Sequence, residues 1–143
     1  MFVRLRFLEP PGVVPIKVLP GSSGYDLVTP RDFTISAMDR VFIPLGFALE
    51  IPNGYEAQVR SRSGIALGHG VFCLNSPGTI DSSYRGEVSV ILMNLRNQLV
   101  TFLAGDRIAQ MVFQKVEEVE FQIVDSLTET ERGGGGFGST GRR

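Results

Sequence analysis

The chain has 143 residues, 43% hydrophobic and 20% charged, which suits one folded domain rather than a disordered or fibrous protein. A formal net charge of −1 gives no basic excess for neutralising nucleic-acid phosphates, and no stretch approaches the ~18 apolar residues of a membrane span. One cysteine and one histidine cannot supply the ligands of an ordinary zinc site, and the lone cysteine favours a reducing compartment. We therefore expect a cytoplasmic protein that binds neither nucleic acid nor membrane.

Short runs rich in Val, Ile, Phe and Leu lie between 17 glycines and 8 prolines, a pattern typical of many short strands. Residues Met1 to Glu9 alternate arginine with apolar side chains and predict the first strand. Ser61 to Gly68 favours one or two helical turns, with Ser63 as a candidate N-cap. The chain is therefore predicted to be an all-β sandwich or barrel with little helix. Further strands are predicted at 41–43, 47–51, 55–60, 88–93, 107–113 and 119–124.

The C-terminal residues differ in kind from the rest. Residues 126–131 are polar and acidic, and residues 132–138 read Arg-Gly-Gly-Gly-Gly-Phe-Gly. Glycine loses the most entropy on ordering, so we predict a folded domain over 1–125 and a flexible arm over 126–143. The arm could be a terminus without a role, but a lone aromatic at Phe137 beside Arg132 indicates a group for stacking and anion binding.

Two polar clusters could hold an anion or activate water. Arg60 to Gly64 combines two arginines, two hydroxyls and a glycine, and is either an anion site or an exposed polar loop. Asn75 to Glu87 has turn residues at both ends, which suggests a hairpin with Asp81 just beyond its turn. Asp81 could act as a general base on water or cap a local turn, and the Tyr84 ring could support a sugar. Residues 106–107 fit a structural Asp-Arg pair at a strand start.

Five segments, taken in order, closely resemble the motifs of the trimeric deoxyuridine triphosphatases. The resemblance covers nearly the whole chain, and its third and fifth segments are highly specific. Two positions depart from the family pattern: Ser61 stands where proline is frequent, and Ser23 stands where alanine is usual. The five segments are Gly24–Leu27, Arg62–Gly64, Gly78–Gly86, Gly105–Gln110 and Arg132–Gly141.

The resemblance implies a distorted β jelly roll of the β-clip type and an enzyme that hydrolyses dUTP to dUMP and pyrophosphate. That reaction keeps uracil out of DNA and supplies dUMP for thymidylate synthesis. It also implies a homotrimer whose sites are each built from three chains. Magnesium would bind mainly to the triphosphate and water, with no direct protein ligand.

The resemblance assigns a role to each matching residue. Asp81 would deprotonate the water that attacks the α-phosphorus, Tyr84 would pack under the deoxyribose, and Asp26 would support the site from nearby. The uracil edge would be bound around Asn75, Gly78, Thr79 and Ile80. The phosphates would be held by Arg62, Ser63, Gly64 and Gln110. From another chain's arm, Phe137 would stack on uracil while Arg132, Gly138, Ser139 and Thr140 close the site.

Two other functions fit parts of the same pattern. Deoxycytidine triphosphate deaminases share the implied fold and some motifs, although the glycine-rich arm with Phe137 favours the hydrolase. A zinc-dependent deaminase would need ligands that the chain lacks. A non-enzymatic jelly-roll binding protein is the second alternative, and the intact Asp81 and Tyr84 argue against it.

Overall fold

Ten short strands and one short helix make up the regular structure of residues 1–9 and 12–139, which the computed structural model describes. The all-β prediction with little helix is therefore confirmed. The strands are β1 (Arg4–Phe7), β2 (Tyr25–Val28), β3 (Phe33–Ile35), β4 (Arg40–Glu50), β5 (Tyr55–Arg60), β6 (Val71–Cys73), β7 (Gly78–Ile80), β8 (Glu87–Asn94), β9 (Val100–Phe102) and β10 (Arg107–Lys115). The helix is α1 (Ser63–His69).

The strands form two four-stranded antiparallel sheets and a smaller pair. The first sheet has the order β1-β4-β8-β6, and the second has the order β2-β10-β5-β7. Strands β3 and β9 form the pair. Neighbours in the sheets are mostly distant in sequence, so residues from several parts of the chain meet along each sheet edge.

Period-two alternation places one face of β5 and of β8 in a shared core. In β8, Val88, Val90, Leu92 and Asn94 are buried while the residues between them are partly exposed. The three apolar residues belong to one cluster with buried side chains of both sheets, including Met111 of β10. Burying each large apolar side chain contributes about 1.5–3 kcal/mol, so this cluster holds the two sheets together.

A bulge interrupts the longest strand. The pairing of β4 with β8 shifts between Pro44 and Ala48, and Gly46 within the shift has a φ of 77°, a conformation that glycine adopts without strain. The Gly46 N–H donates to the Glu87 carboxylate at 2.7 Å, which satisfies a donor that the ladder leaves free. The bulge thereby lets an 11-residue strand with an internal proline stay in the sheet.

Helix α1 follows β5 directly and has a different N-cap from the predicted one. Arg62 occupies the N-cap position and Ser63 is the first helical residue, so the prediction of Ser63 as the cap is wrong. Only Ile65 of the helix is buried. Gly70 ends the helix in the left-handed conformation, and its N–H donates to the Ala66 carbonyl at 3.1 Å. The short helix therefore fixes the position of Arg62, which lies two residues after the end of β5.

The regular structure ends at Lys115. The strand predicted over 119–124 is wrong, because this segment pairs with no strand and its apolar side chains are exposed. Phe121 is 93% exposed and Ile123 is 97% exposed. The predicted division at residue 125 remains a prediction. No helix in the described part of the chain has the length and apolar character needed to cross a membrane.

Candidate active site

A carboxylate with two arginines forms the centre of the first half of the site. Asp26 on β2 lies 3.0 Å from Nε of Arg62 and 2.9 Å from Nη1 of Arg107. Nη1 of Arg62 also donates to the Arg107 carbonyl at 2.7 Å. The Asp26 side chain is only 14% exposed, whereas those of Arg62 and Arg107 are 26% and 43% exposed. Two guanidinium groups around one carboxylate leave an excess positive charge and free N–H donors for an anion.

Gln110 extends this half of the site along β10. It lies opposite Asp26 of β2 on one side and Arg60 of β5 on the other. Its Nε2 donates to the Ser61 carbonyl at 2.9 Å. A Cβ on Gly24 would lie closer than 3.0 Å to Oε1 of Gln110, so the missing side chain makes room for the amide. A cavity of about 320 Å³ is lined by Val18, Ser22, Ser23, Gly24, Asp26, Arg60, Gln110 and Val112.

A second cavity lies beside Arg62 and α1. It has a volume of about 240 Å³ and is lined by both arginines of the ion-paired cluster, together with His69 and Asp106. Ser63 and Gly64, predicted to bind phosphate, are exposed beside Arg62. The residues of the second motif therefore lie beside the ion-paired cluster, as expected for an anion site.

Residues 74–80, the candidate base-binding segment, connect the two sheets. Strand β6 pairs with β8 in the first sheet and β7 pairs with β5 in the second, so the predicted hairpin is wrong. Asn75 and Thr79 are exposed, whereas Gly78 and Ile80 are buried. A Cβ on Gly78 would lie 3.0 Å from Nδ2 of Asn75, so a larger residue would crowd the bend. The buried strand β7 anchors a bend whose backbone is accessible to a ligand.

Asp81 and Tyr84 follow β7 in one tight turn. The Tyr84 N–H donates to the Asp81 carbonyl at 3.1 Å, and the Tyr84 hydroxyl donates to the Glu87 carbonyl at 3.2 Å. A Cβ on Gly86 would lie within 3.0 Å of the Tyr84 ring and hydroxyl, so this glycine leaves room for the aromatic side chain. Both Asp81 and Tyr84 are exposed, which suits groups that act on a bound molecule.

Within the described residues, Asp81 lines a different cavity from the one beside the ion-paired arginines. It lines a separate cavity of about 130 Å³ with Asn53, Gly54, Tyr55, Glu56, Ser82, Val116 and Glu118. In the β5–β7 pairing Ile80 lies opposite Ala57, so Asp81 comes beside Glu56, near the start of β5. Arg60 lies at the other end of this strand, roughly 13 Å away at 3.3 Å per residue. Arg62 comes after Arg60, so the two halves of the candidate site lie at opposite ends of β5.

The candidate arm residues are exposed in the described part of the arm. Phe137 has no contact that shields its ring, and Gly138 and Ser139 are exposed beside it. Nε of Arg132 donates to the Gly135 carbonyl at 2.8 Å within a local turn. Thr140 lies outside the described residues. The structure therefore leaves Arg132 and Phe137 available for a partner but does not bring them to Asp81 or Arg62.

Arg107 is a further candidate site residue, which the sequence pattern instead placed in a structural pair with Asp106. Asp106 accepts instead from the Leu103 N–H at 2.8 Å, within the turn before β10, while Arg107 pairs with Asp26. Its place inside the fourth motif is the signal that could have identified it. Arg60 is a second such residue. The sequence pattern places it only in a polar cluster, whereas in the structure it lines the Gln110 cavity.

Cys73, the single cysteine, is buried at the end of β6. Burial raises the pKa of its thiol above the usual value, while a hydrogen bond with Ser61 acts in the opposite direction. The thiol is therefore neutral at physiological pH and is not an activated nucleophile.

Comparisons with known proteins identify the family. The dUTPase family model matches residues 12–141. Deoxyuridine 5'-triphosphate nucleotidohydrolases from Anaeromyxobacter sp. and Wolinella succinogenes are similar to this chain. The Anaeromyxobacter protein is 51% identical over 93% of this chain and 90% of its own length. The Wolinella protein is 47% identical over 99% of this chain and 95% of its own length.

Solved structures show the same fold. A point mutant of a Staphylococcus bacteriophage 80alpha dUTPase with dUpNHpp superposes with a TM-score of 0.90, at 21% identity over 98% of each chain. A dUTPase from phage phi11 of S. aureus, described with a structural Mg(II) ion, superposes with a TM-score of 0.81, at 19% identity over 88% of this chain and 98% of its own. The jelly-roll prediction is thereby confirmed. On the family model and the nucleotidohydrolase relatives together, the chain belongs to the dUTPase family.

Proposed function

We propose that this chain catalyses the dUTPase reaction with Asp81 as the general base and the Asp26–Arg62–Arg107 cluster as the centre of the phosphate site. As a member of the dUTPase family it is a dUTP diphosphatase, which hydrolyses dUTP to dUMP and pyrophosphate. The observation on which the mechanism chiefly depends is the ion-paired cluster beside Gln110. Phosphoryl transfer requires positioning and charge stabilisation more than covalent catalysis, and this cluster provides both.

The phosphate chain lies along the cavity beside Arg62 and the cavity beside Gln110. The ion pair between Asp26 and Nε of Arg62 holds the guanidinium in one orientation. Its outer N–H groups therefore point in a fixed direction. Gln110, Ser63 and Gly64 supply further polar groups around the same anion. Such preorganised donors stabilise the charge that develops on the phosphates without a reorganisation cost during the reaction.

Asp81 takes the proton from the attacking water. The new bond forms between the water oxygen and the α-phosphorus, and the bond from that phosphorus to the bridging oxygen breaks. Pyrophosphate takes the electron pair of the broken bond, and dUMP retains the new oxygen. The Asp81 carboxylate is exposed, on a backbone held by the turn to Tyr84, which suits this role because a general base must reach a water on bound substrate.

The base and sugar are recognised by the region from the bend to Tyr84. Backbone groups around Asn75, Gly78, Thr79 and Ile80 bind the uracil edge, and a narrow bend has no room for the thymine methyl group. The Tyr84 ring packs against the deoxyribose and occupies the space of a 2′-hydroxyl. The crowding of both Gly78 and Gly86 by neighbouring side chains supports a closely fitted pocket.

The active site is shared between subunits of a homotrimer. Within one chain, Asp81 and the arginine cluster lie at opposite ends of β5 and line different cavities, which supports a site completed by a second chain. A second chain therefore supplies the Asp81 half, and the arm of a third supplies Arg132, Phe137, Gly138, Ser139 and Thr140. The exposed apolar side chains that follow β10, Phe121 and Ile123 among them, support an arm that packs on another subunit.

Magnesium would accompany the triphosphate and would neutralise charge on the phosphate oxygens. Asp26 suits such an ion because its carboxylate lines the Gln110 cavity, where it would face the ion's water shell. Both of its oxygens already pair with arginines, which fits an ion held mainly by phosphate and water. A cytoplasmic location completes the proposal and suits the buried, reduced Cys73.

The activity and the base are tested together with purified wild type and Asp81→Asn. Wild type should release pyrophosphate from dUTP, and neither protein should release ammonia from dCTP. Asp81→Asn keeps the size of the side chain but removes the base, so turnover should fall about 10²–10⁴-fold while a non-hydrolysable dUTP analogue still binds. Wild-type turnover by Asp81→Asn would show that another group activates the water.

A further inference from the structure

We propose that Ser61 is a positioning residue that joins the phosphate cavity to the base-binding segment, an inference that rests on the proposed function. Ser61 lies between β5 and Arg62, and it contacts neither reacting atoms nor substrate in that proposal. Its two polar groups instead reach one element from each of the two half-sites that a chain carries, which in that proposal belong to neighbouring active sites of the trimer. The Ser61 hydroxyl is a departure from the family pattern, in which proline is frequent at this position.

The two contacts of Ser61 point in different directions. Its Oγ accepts the Cys73 N–H at 2.9 Å, at the end of β6. Its carbonyl accepts Nε2 of Gln110 at 2.9 Å, in the phosphate cavity. One residue thus fixes both the last residue before the base-binding segment and a side chain of the phosphate site.

The Cys73 N–H depends on this acceptor because β6 lies at the edge of its sheet. Leu74 donates its N–H to the Ile91 carbonyl of β8 at 2.9 Å, and the N–H groups of successive residues in a strand point to opposite sides. The Cys73 N–H therefore points away from β8. Cys73 is 1% exposed, so without Ser61 this donor would be left buried and unpaired.

A proline at position 61 could not make the same link, because its side chain has no hydrogen-bonding group. Loss of the hydroxyl frees the end of β6, and with it the bend that begins at Leu74. It also frees the Ser61 backbone, whose carbonyl orients Gln110. Both effects act on substrate placement rather than on the water at Asp81, so they should raise KM more than they lower kcat.

The test compares Ser61→Ala with Ser61→Thr, which retains the hydroxyl. The matched control is Ser36→Ala, an exposed serine at the end of β3 with no part in the site. Steady-state kinetics with dUTP, run well below the thermal midpoint of every variant, give KM and kcat. Amide hydrogen exchange at Cys73 reports the bond itself and does not depend on activity.

In Ser61→Ala, KM for dUTP should rise about 3- to 10-fold while kcat changes less than twofold, as the loss of one neutral hydrogen bond implies. Exchange at Cys73 should be faster, and Ser61→Thr should restore both values. Unchanged exchange would show that the bond is absent in solution. Faster exchange with unchanged KM would reduce Ser61 to a structural role. Absence of pyrophosphate release by wild type would instead refute the proposed function, and Cys73 exchange would still report on the bond.

Discussion

Asp26 and Arg62 form a partly buried ion pair, with Nε of the arginine 3.0 Å from Oδ1 of the carboxylate. They lie 36 positions apart in the sequence, on β2 and at the start of α1. The pair sets the direction of the Arg62 side chain before any ligand arrives. Asp26 therefore acts through the arginine in addition to its effect on the local charge.

Asp26→Asn should lower kcat/KM for dUTP about 10- to 100-fold. The variant keeps the shape of the side chain but leaves Arg62 and Arg107 without their counter-charge, and a partly buried pair is worth more than an exposed one. The control is Glu50→Gln, which removes the exposed pair with Arg4 and should change neither activity nor stability measurably. Equal kinetics in Asp26→Asn and wild type would refute the role of the pair.

Gly24→Ala should raise KM for dUTP several-fold and leave the fold intact. The added Cβ would meet the flexible end of Gln110, which can rotate away, so the amide moves and the backbone does not. Gly68→Ala is the matched control, since a Cβ there meets open space on the helix and should stabilise it by about 0.5–1 kcal/mol. Affinity for a non-hydrolysable dUTP analogue checks the prediction. Wild-type affinity would mean that Gln110 needs no fixed orientation.

Tyr84→Ala should weaken discrimination against the ribonucleotide, because the ring is proposed to fill the space of a 2′-hydroxyl. The measurement is the ratio of kcat/KM for dUTP to that for UTP. Tyr84→Phe keeps the ring and loses only the hydroxyl bond to the Glu87 carbonyl, so it should keep the ratio near the wild-type value. If the ratio in Tyr84→Ala matched wild type, another group would exclude the ribose.

Removal of residues 132–143 should leave a folded protein with a near-normal thermal midpoint but a much lower kcat. The described part of this arm packs only in local turns, so the core loses no support, while the site loses its closing groups. Phe137→Ala should give part of the defect, since one base–aromatic stack contributes roughly 1–3 kcal/mol. Phe2→Ala, at another highly exposed phenylalanine, should have no effect. Full activity without the arm would exclude its role in closure.

Strands β5 and β8 could be predicted from sequence because their period-two alternation reflects one face buried in the core, whereas β10 is an apolar run buried on both faces. The same alternation over 119–124 led to a wrong prediction, since a pattern indicates an amphipathic segment but not whether a partner strand lies in the same chain. The bend at residues 74–77 looked like a hairpin because turn residues do not reveal that β6 and β7 join different sheets.

The motifs located most candidate site residues, but not the contacts between them. The link from Asp26 to Arg107 crosses 81 positions, and local sequence holds no signal for it. In the sequence, Ser61 stands out only as a departure from the family pattern. Its hydrogen bond with the Cys73 N–H depends on the position of β6 at a sheet edge, which the sequence does not reveal.

Mixing two inactive variants tests the shared site most directly. Arg62→Ala removes the phosphate half of the site, and Asp81→Asn removes the catalytic half. If each site takes Arg62 from one subunit and Asp81 from another, randomly mixed trimers at equal ratio should regain about a quarter of wild-type activity, because one site in four receives both intact residues. If hybrids form but activity stays at the level of the separate variants, both residues act from the same chain and the shared-site account is wrong.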